Sequence, residues 1–216
     1  MNHRILIGIF CMVMLVGGVG SADTIDFEGI STSGGWAFLP ANYDGFDWSV
    51  PGHPTERWEI CTYSYYNSTY SQSDTWHGSN FAYNDSGSLV MMMSDSSDFT
   101  LTSLLADSWR NTNNQTSTSL TITGYNNGSL VGSTLVNFAS SPAGMGLVTL
   151  GWNAPVDSVT FTASAEGKWW RVDDITYTPF NENGSDNSVV PEPASMGILG
   201  FGLLGLAATR MRRKVA

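Results

Sequence analysis

The chain has 216 residues and a formal net charge of −10, and its acidic residues are unevenly placed. Residues 23–190 contain 18 Asp and Glu against four Arg and Lys, whereas four of the remaining basic residues lie among the last seven positions. Because binding to nucleic acid or to anionic surfaces needs clustered basic side chains, this balance argues against both. It suits an extracellular protein that meets neutral glycans or divalent cations.

Residues 1–22 have the layout of a secretory signal peptide. Arg4 supplies the charged first part, Ile5 to Val19 form the apolar stretch, and Gly20-Ser21-Ala22 place small residues before a cleavage site. The segment predicts export through the inner membrane and cleavage before Asp23.

Removal of this segment takes Cys11 with it and leaves Cys61 as the only cysteine of the mature chain. No intramolecular disulfide can then form. Cys61 is either a small buried apolar residue or a thiol that pairs between two chains.

The body of the chain, residues 23–179, is rich in Gly, Ser, Thr, Asn and aromatic residues and shows short alternating runs in place of helical periodicity. Such runs, separated by Gly and Asn turns, predict an all-β fold, a β-sandwich or jelly roll. Asn126-Asn127-Gly128 lies between two of the runs and predicts a hairpin. The nine candidate strands are residues 24–27, 57–66, 88–93, 99–104, 119–125, 129–138, 146–152, 159–163 and 168–178.

Motifs for catalysis are absent from the sequence, and we assign no catalytic residue. There is no G-x-S-x-G, H-E-x-x-H, C-x-x-C or glycine-rich phosphate loop, and His53 and His77 follow turn-like residues. A carboxylate pair of a glycan-active enzyme stays open as an alternative. Its candidates are Asp44, Asp47, Glu56 and Glu59.

The last strand contains a break in alternation. Val172 and Ile175 both have the character of buried residues but stand three positions apart, which predicts a bulge at Asp173-Asp174. A carboxylate turned inward there needs a partner, and one structural calcium ion held by Asp174, Glu28 and Asp26 would supply it. The alternative is that these are exposed carboxylates at strand ends.

Both ends of the body, "DTIDFEGI" and "WWRVDDITYT", resemble the corresponding strands of carbohydrate-binding-module-like jelly rolls. The resemblance implies that the first and last strands meet. It also implies that Glu28 and Asp174 hold a structural calcium.

Aromatic residues are candidates for glycan binding. Trp169 and Trp170 are adjacent on a predicted strand, so one should face the core and the other the opposite side. Because exposed aromatic rings stack on sugars, we expect Tyr65, Trp76 and Trp170 to line a polysaccharide-binding groove. The alternative is ordinary packing of these rings inside a sandwich.

The C-terminus has three parts that follow a flexible linker, residues 180–189. Pro191-Glu192-Pro193 is followed by sixteen uncharged residues, Ala194 to Thr209, which as a helix would span about 24 Å. This predicts one short transmembrane helix. The basic tail stays on the cytoplasmic side by the positive-inside rule and consists of Arg210, Arg212, Arg213 and Lys214.

This layout, residues 190–216, resembles the PEP-CTERM sorting signal of exosortase substrates, which is also labelled an ice-binding protein C-terminal domain. The resemblance implies that an exosortase recognises Pro191-Glu192-Pro193 and cleaves near it. The protein would then be anchored in the membrane only transiently.

Taken together, the sequence predicts a non-enzymatic, exported cell-surface or extracellular-matrix protein of a Gram-negative bacterium. The alternatives are a polysaccharide-binding jelly-roll module of a biofilm matrix and, further off, an enzyme that acts on glycans.

Overall fold

Short runs that alternate apolar and small polar side chains form the strands of this protein. The computed structural model describes residues 21–50, 58–70, 72, 78–85, 88–110, 115–139, 144–152 and 154–180. The elements are β1 (Asp23–Ile25), β2 (Trp36–Phe38), β3 (Asn42–Tyr43), β4 (Phe46–Ser49), β5 (Glu59–Thr62), α1 (Tyr63–Tyr70), β6 (Asn80–Tyr83), β7 (Leu89–Met93), β8 (Phe99–Ser108), β9 (Ser119–Asn126), β10 (Ser129–Asn137), β11 (Gly146–Thr149), β12 (Ser158–Ala163) and β13 (Trp170–Pro179).

The strands pair into two antiparallel sheets. Sheet A has the order β11-β8-β13-β6-β5-β2, with β1 also paired to β13, and sheet B has the order β10-β9-β12-β7-β4-β3. The first and last strands therefore meet, with Asp23 opposite Tyr177 and Ile25 opposite Ile175. The prediction of an all-β sandwich is confirmed.

The main core lies between the two sheets. Ile60 and Val172 reach it from sheet A, and Ile122 and Val159 reach it from sheet B. Aromatic rings meet edge to face at its centre, where the ring centroid of Trp58 lies 5.1 Å from that of Phe161 and 5.5 Å from that of Trp170. Burial of such large rings is the dominant favourable term for folding.

All nine predicted strands are present, but residues 63–66 were wrongly assigned to one of them. Strand β5 ends at Thr62, and α1 begins at Tyr63. The hydroxyl of Thr62 caps this helix, because its Oγ1 accepts the N–H of Tyr65 at 3.1 Å. The strands that the sequence did not reveal are β2, β3, β4 and β6, each of two to four residues.

The predicted hairpin is confirmed. Asn127 and Gly128 join β9 to β10 with φ angles of 48° and 73°. Both values lie in the left-handed region that Asn and Gly tolerate, so the turn suits the twist of the two strands.

The sandwich belongs to one compact unit, Val19–Phe180. In the described part of the chain, none of the helices has the length and apolar character that a membrane span requires. Several sequence-based predictions lie outside the described residues, namely most of the signal peptide, the linker beyond residue 180, the sorting signal with its helix and basic tail, and Trp76.

We expect Trp170→Ala to lower the free energy of unfolding by about 3–5 kcal/mol, because it opens a cavity in the main core. Urea denaturation measures this loss. Leu147→Ala is the control, since Leu147 is 71% exposed and its truncation should change stability by less than about 0.5 kcal/mol. Equal losses for the two variants would contradict the assignment of Trp170 to the core.

Candidate functional site

One row of polar side chains crosses the outer face of sheet A, which is the face turned away from the main core. Glu59 of β5 lies opposite Tyr83 of β6, Tyr83 lies opposite Arg171 of β13, and Arg171 lies opposite Asp107 of β8. Directly opposed residues of an antiparallel sheet point to the same face. The register of four strands therefore brings together residues that are far apart in the sequence.

Arg171 and Asp107 form a buried ion pair in this row. Nη2 of Arg171 lies 2.9 Å from Oδ2 of Asp107, and the Arg171 side chain is fully buried. Arg110 reaches both oxygens of the same carboxylate at 3.1 Å. The guanidinium carbon of Arg171 also lies 4.6 Å from the ring centroid of Tyr66 and 5.5 Å from that of Phe81. Aromatic rings thus enclose the buried cation.

Helix α1 supplies part of this enclosure. Tyr63 and Tyr66 are fully buried, and Tyr70 packs against them from one turn further on. The rings of Tyr66 and Trp109 lie 4.8 Å apart, so the helix is in contact with the residue that follows β8. A second hydrophobic cluster therefore exists on the outer face of sheet A, separate from the main core.

Beside this cluster lies a cavity of about 260 Å³, which we call the aromatic pocket. Trp36 and Asp85 are exposed at it, so the pocket is open to solvent. The rings of Tyr83 and Trp109 are stacked in its wall at a centroid distance of 4.4 Å. Its lining consists of Trp36, Glu59, Cys61, Tyr65, Tyr70, Tyr83, Asp85, Trp109 and Trp169.

Glu59 is a buried carboxylate in the lining of the pocket. Its side chain accepts a hydrogen bond from the hydroxyl of Tyr83, and it is only 9% exposed. Burial raises the pKa of Glu59, the hydrogen bond from Tyr83 opposes this rise, and the charge of Asp85 adds to it. The two pocket carboxylates therefore repel each other.

Cys61 lies at the wall of the pocket as a free, buried thiol. Burial raises the pKa of this thiol to about 12, so it stays protonated at neutral pH. Of the two sequence-based alternatives, the structure supports the small buried residue.

The predicted glycan-binding residues meet different outcomes. Tyr65 is half-buried and lines the aromatic pocket. Trp170 was wrongly assigned to the groove, because it is fully buried between the sheets and cannot stack on a sugar. Its neighbour Trp169 lines the pocket instead, so the two do face opposite sides. Trp76 lies outside the described residues.

Sequence reasoning missed most of the pocket. No pattern in the neighbouring sequence marks the other lining residues, because the pairing of the strands brings them together. These residues include Trp36, Tyr83, Asp85 and Trp109. Glu59 was considered only as one of four possible catalytic carboxylates. The structure separates it from Asp47, which lies on β4 in sheet B and accepts a hydrogen bond from Ser94.

The bulge predicted in the last strand is present, but the buried carboxylate beside it is Asp173, which lies opposite Leu105 on the outer face of sheet A. The register between β13 and β8 shifts after Asp173, and Asp174 adopts a left-handed φ of 46°. Asp173 is fully buried and accepts a hydrogen bond from the hydroxyl of Tyr63 in α1 at 3.4 Å, while Asp174 is half-buried. Burial raises the pKa of Asp173 to about 8, and the charges of Asp174 and Glu28 act in the same direction.

Two of the residues proposed as calcium ligands have protein partners. Oε1 of Glu28 accepts the backbone N–H groups of Ser79 at 2.6 Å and Asn80 at 3.0 Å, and Oδ1 of Asp26 accepts the N–H of Glu28 at 3.1 Å. Within the described ranges, no three His, Cys, Asp or Glu side chains converge in an arrangement that could hold a metal. Calcium binding by Glu28, Asp26 and Asp174 stays a prediction.

Comparison with protein families identifies the C-terminal segment. Residues 189–214 match the PEP-CTERM protein-sorting motif, which confirms the sorting signal predicted from the sequence. That motif implies an exosortase as processing partner, with export and membrane-associated sorting. No curated protein matches the chain in sequence.

Solved structures with a similar arrangement share little sequence with the chain. A Stig cyclase from Fischerella sp. TAU, solved with (3Z)-3-(1-methyl-2-pyrrolidinylidene)-3H-indole, is 14% identical, with a TM-score of 0.47 over 74% of this chain and 100% of that one. The K1 adhesin domain of Lys-gingipain from Porphyromonas gingivalis W83 is 8% identical, with a TM-score of 0.46 over 75% and 100% of the two chains. Likenesses of this level transfer no ligand or activity to the chain.

We expect Asp173→Asn to flatten the dependence of stability on pH. The ordinary pKa of Asp is about 3.9, and folding raises that of Asp173 to about 8, so the folded state keeps a proton that the unfolded chain loses in between. The stabilisation is complete below about pH 4 and is lost as the pH rises to about 8. Melting temperatures across this interval measure the effect. Glu166→Gln, at an exposed position, should keep the wild-type slope.

The same melting curves test the calcium prediction. Calcium beside Glu28 and Asp174 would offset their repulsion of Asp173, so it should raise the melting temperature at alkaline pH, and EDTA should reverse the rise. A melting temperature that responds to neither calcium nor EDTA would rule the site out.

Proposed function

We propose that the protein is an exported, non-enzymatic component of the bacterial cell surface or extracellular matrix, which an exosortase cleaves at its C-terminal motif. The observation that carries this proposal is the match of residues 189–214 to the PEP-CTERM motif. The signal-peptide layout of residues 1–22 supports the same route from the other end of the chain.

The chemistry of the motif explains how such a cleavage would work. Pro191 and Pro193 disfavour helix on either side of Glu192, as suits a segment that a processing enzyme binds in extended form. The sixteen uncharged residues that follow are a little short for a permanent span of the roughly 30 Å hydrocarbon core. A temporary anchor needs no better fit than this.

We expect mass spectrometry of the native protein to find a mature C-terminus near Pro191-Glu192-Pro193 when the exosortase is present. Glu192→Ala should leave the uncleaved C-terminus in place. Glu182→Ala, in the linker before the motif, is the matched control and should be cleaved normally. A wild-type chain that still carries Arg212-Arg213-Lys214 in such cells would contradict sorting and leave a plain membrane anchor.

A second function, polysaccharide binding by the sandwich, is favoured by the aromatic pocket. Trp36 is 44% exposed beside rings that are already held in place by the second hydrophobic cluster. Exposed rings of this kind stack on the apolar faces of sugars, and carboxylates at the same site accept hydrogen bonds from sugar hydroxyls. The pocket thus has both elements that glycan recognition needs.

We expect Trp36→Ala to weaken binding of the full chain to a polysaccharide about tenfold, because it removes an exposed stacking surface. Calorimetric titration against a panel of oligosaccharides measures this change, and Leu147→Ala, on a different strand of the same sheet and outside the pocket, should leave binding unchanged. Binding without release of reducing sugar distinguishes a binding module from a glycan-active enzyme. No binding by the wild-type chain to any member of the panel would contradict this second function.

A further inference from the structure

The lining of the aromatic pocket combines rings with negative charge. Six of its nine described lining residues are Trp or Tyr, two are carboxylic acids, and none of the nine is basic. A cation at this lining would meet both ring faces and carboxylates.

The second hydrophobic cluster already holds a cation of the protein itself. The guanidinium of Arg171 lies against Tyr66 and Phe81, and Asp107 supplies its countercharge. Neither ring belongs to the pocket lining, so Arg171 occupies a different set of ring faces. The rings on the pocket side, above all the stacked Tyr83 and Trp109, have the same electronic character.

The two carboxylates give the pocket a reason to prefer a cation to a neutral group. Glu59 is buried beside Tyr83, and its negative charge is opposed both by burial and by Asp85. A positive group at the pocket would attract both carboxylates, and a neutral hydroxyl group would attract them less.

We infer that the aromatic pocket binds an organic ammonium group, and that its occupant is the protonated amine of a hexosamine ring in a deacetylated polysaccharide. This rests on the proposed polysaccharide binding and names the class of sugar. A volume of about 260 Å³ lies below the roughly 300–1,000 Å³ of pockets for drug-sized ligands, so it suits a single ring. The aromatic rings contact the apolar face of that sugar, and Glu59 and Asp85 bind the amine.

Three β-1,4-linked oligosaccharides of equal length test the inference, since they differ only at C2. Oligomers of glucosamine, N-acetylglucosamine and glucose carry an ammonium, an acetamide and a hydroxyl group at that carbon. We expect the full chain to bind the glucosamine oligomer about tenfold more tightly than the glucose oligomer at about pH 6, where amines are protonated. Added salt should weaken the binding of the glucosamine oligomer alone.

Variants of the carboxylates sharpen the test. Glu59→Gln and Asp85→Asn should each remove most of the preference for glucosamine over glucose, because each removes one negative charge from the pocket. Asp85 is exposed and Glu59 is buried, so Asp85→Asn should disturb the fold less than Glu59→Gln. Glu166→Gln, which removes an exposed carboxylate outside the pocket, should keep the full preference.

The outcomes separate the two proposals. Equal binding of the glucose and glucosamine oligomers would overturn the cationic ligand and leave polysaccharide binding intact, whereas no binding of any of the three would overturn polysaccharide binding itself. Choline serves as the arm for a non-sugar ammonium group. If choline alone binds as tightly as the glucosamine oligomer, the ammonium chemistry is right and its assignment to a polysaccharide is wrong.

Discussion

The buried ion pair between Arg171 and Asp107 is the constraint on which the outer face of sheet A depends. Two charges without water cost several kcal/mol each unless geometry and further contacts compensate. Here the compensation comes from Arg110 on the carboxylate and from the rings of Tyr66 and Phe81 on the guanidinium. A sheet face that carries such a pair must be covered, and α1 provides the cover.

This requirement explains why the sandwich has a second hydrophobic cluster and a pocket beside it. An antiparallel sheet ordinarily faces water on one side, yet Cys61, Phe81 and Leu105 are buried on the outer face of sheet A. The cover does not extend over the full width of the sheet. Where it ends, between α1 and Trp169, the edges of already fixed rings are left accessible. The pocket thus lies at the edge of the cover that the ion pair requires.

The sequence predicts whatever depends on neighbours in the chain. The alternation of side chains predicted the longer strands, and Asn127-Gly128 predicted the hairpin. The spacing of Val172 and Ile175 predicted the bulge. The sequence did not predict β3, because a strand of two residues is too short to show a period. It also did not predict α1, because tyrosines favour strands; the helix forms where Thr62 caps it and the sheet packs beneath it. The sequence could not predict the pocket, because Glu59, Tyr83 and Asp107 lie on one face of the sheet only through the register of separate strands.

The same distinction divides the function of the protein into two parts. The sorting signal is read by an enzyme as a linear segment, so its residues stand together in the sequence and are recognisable without a fold. The proposed ligand would be bound by a folded surface, and the residues of that surface come together only when the strands pair. If the proposed cleavage frees the sandwich, the ligand of the sandwich would decide where the mature protein stays. Under the proposed binding, an acidic pocket on an acidic domain would favour a matrix that carries positive charge.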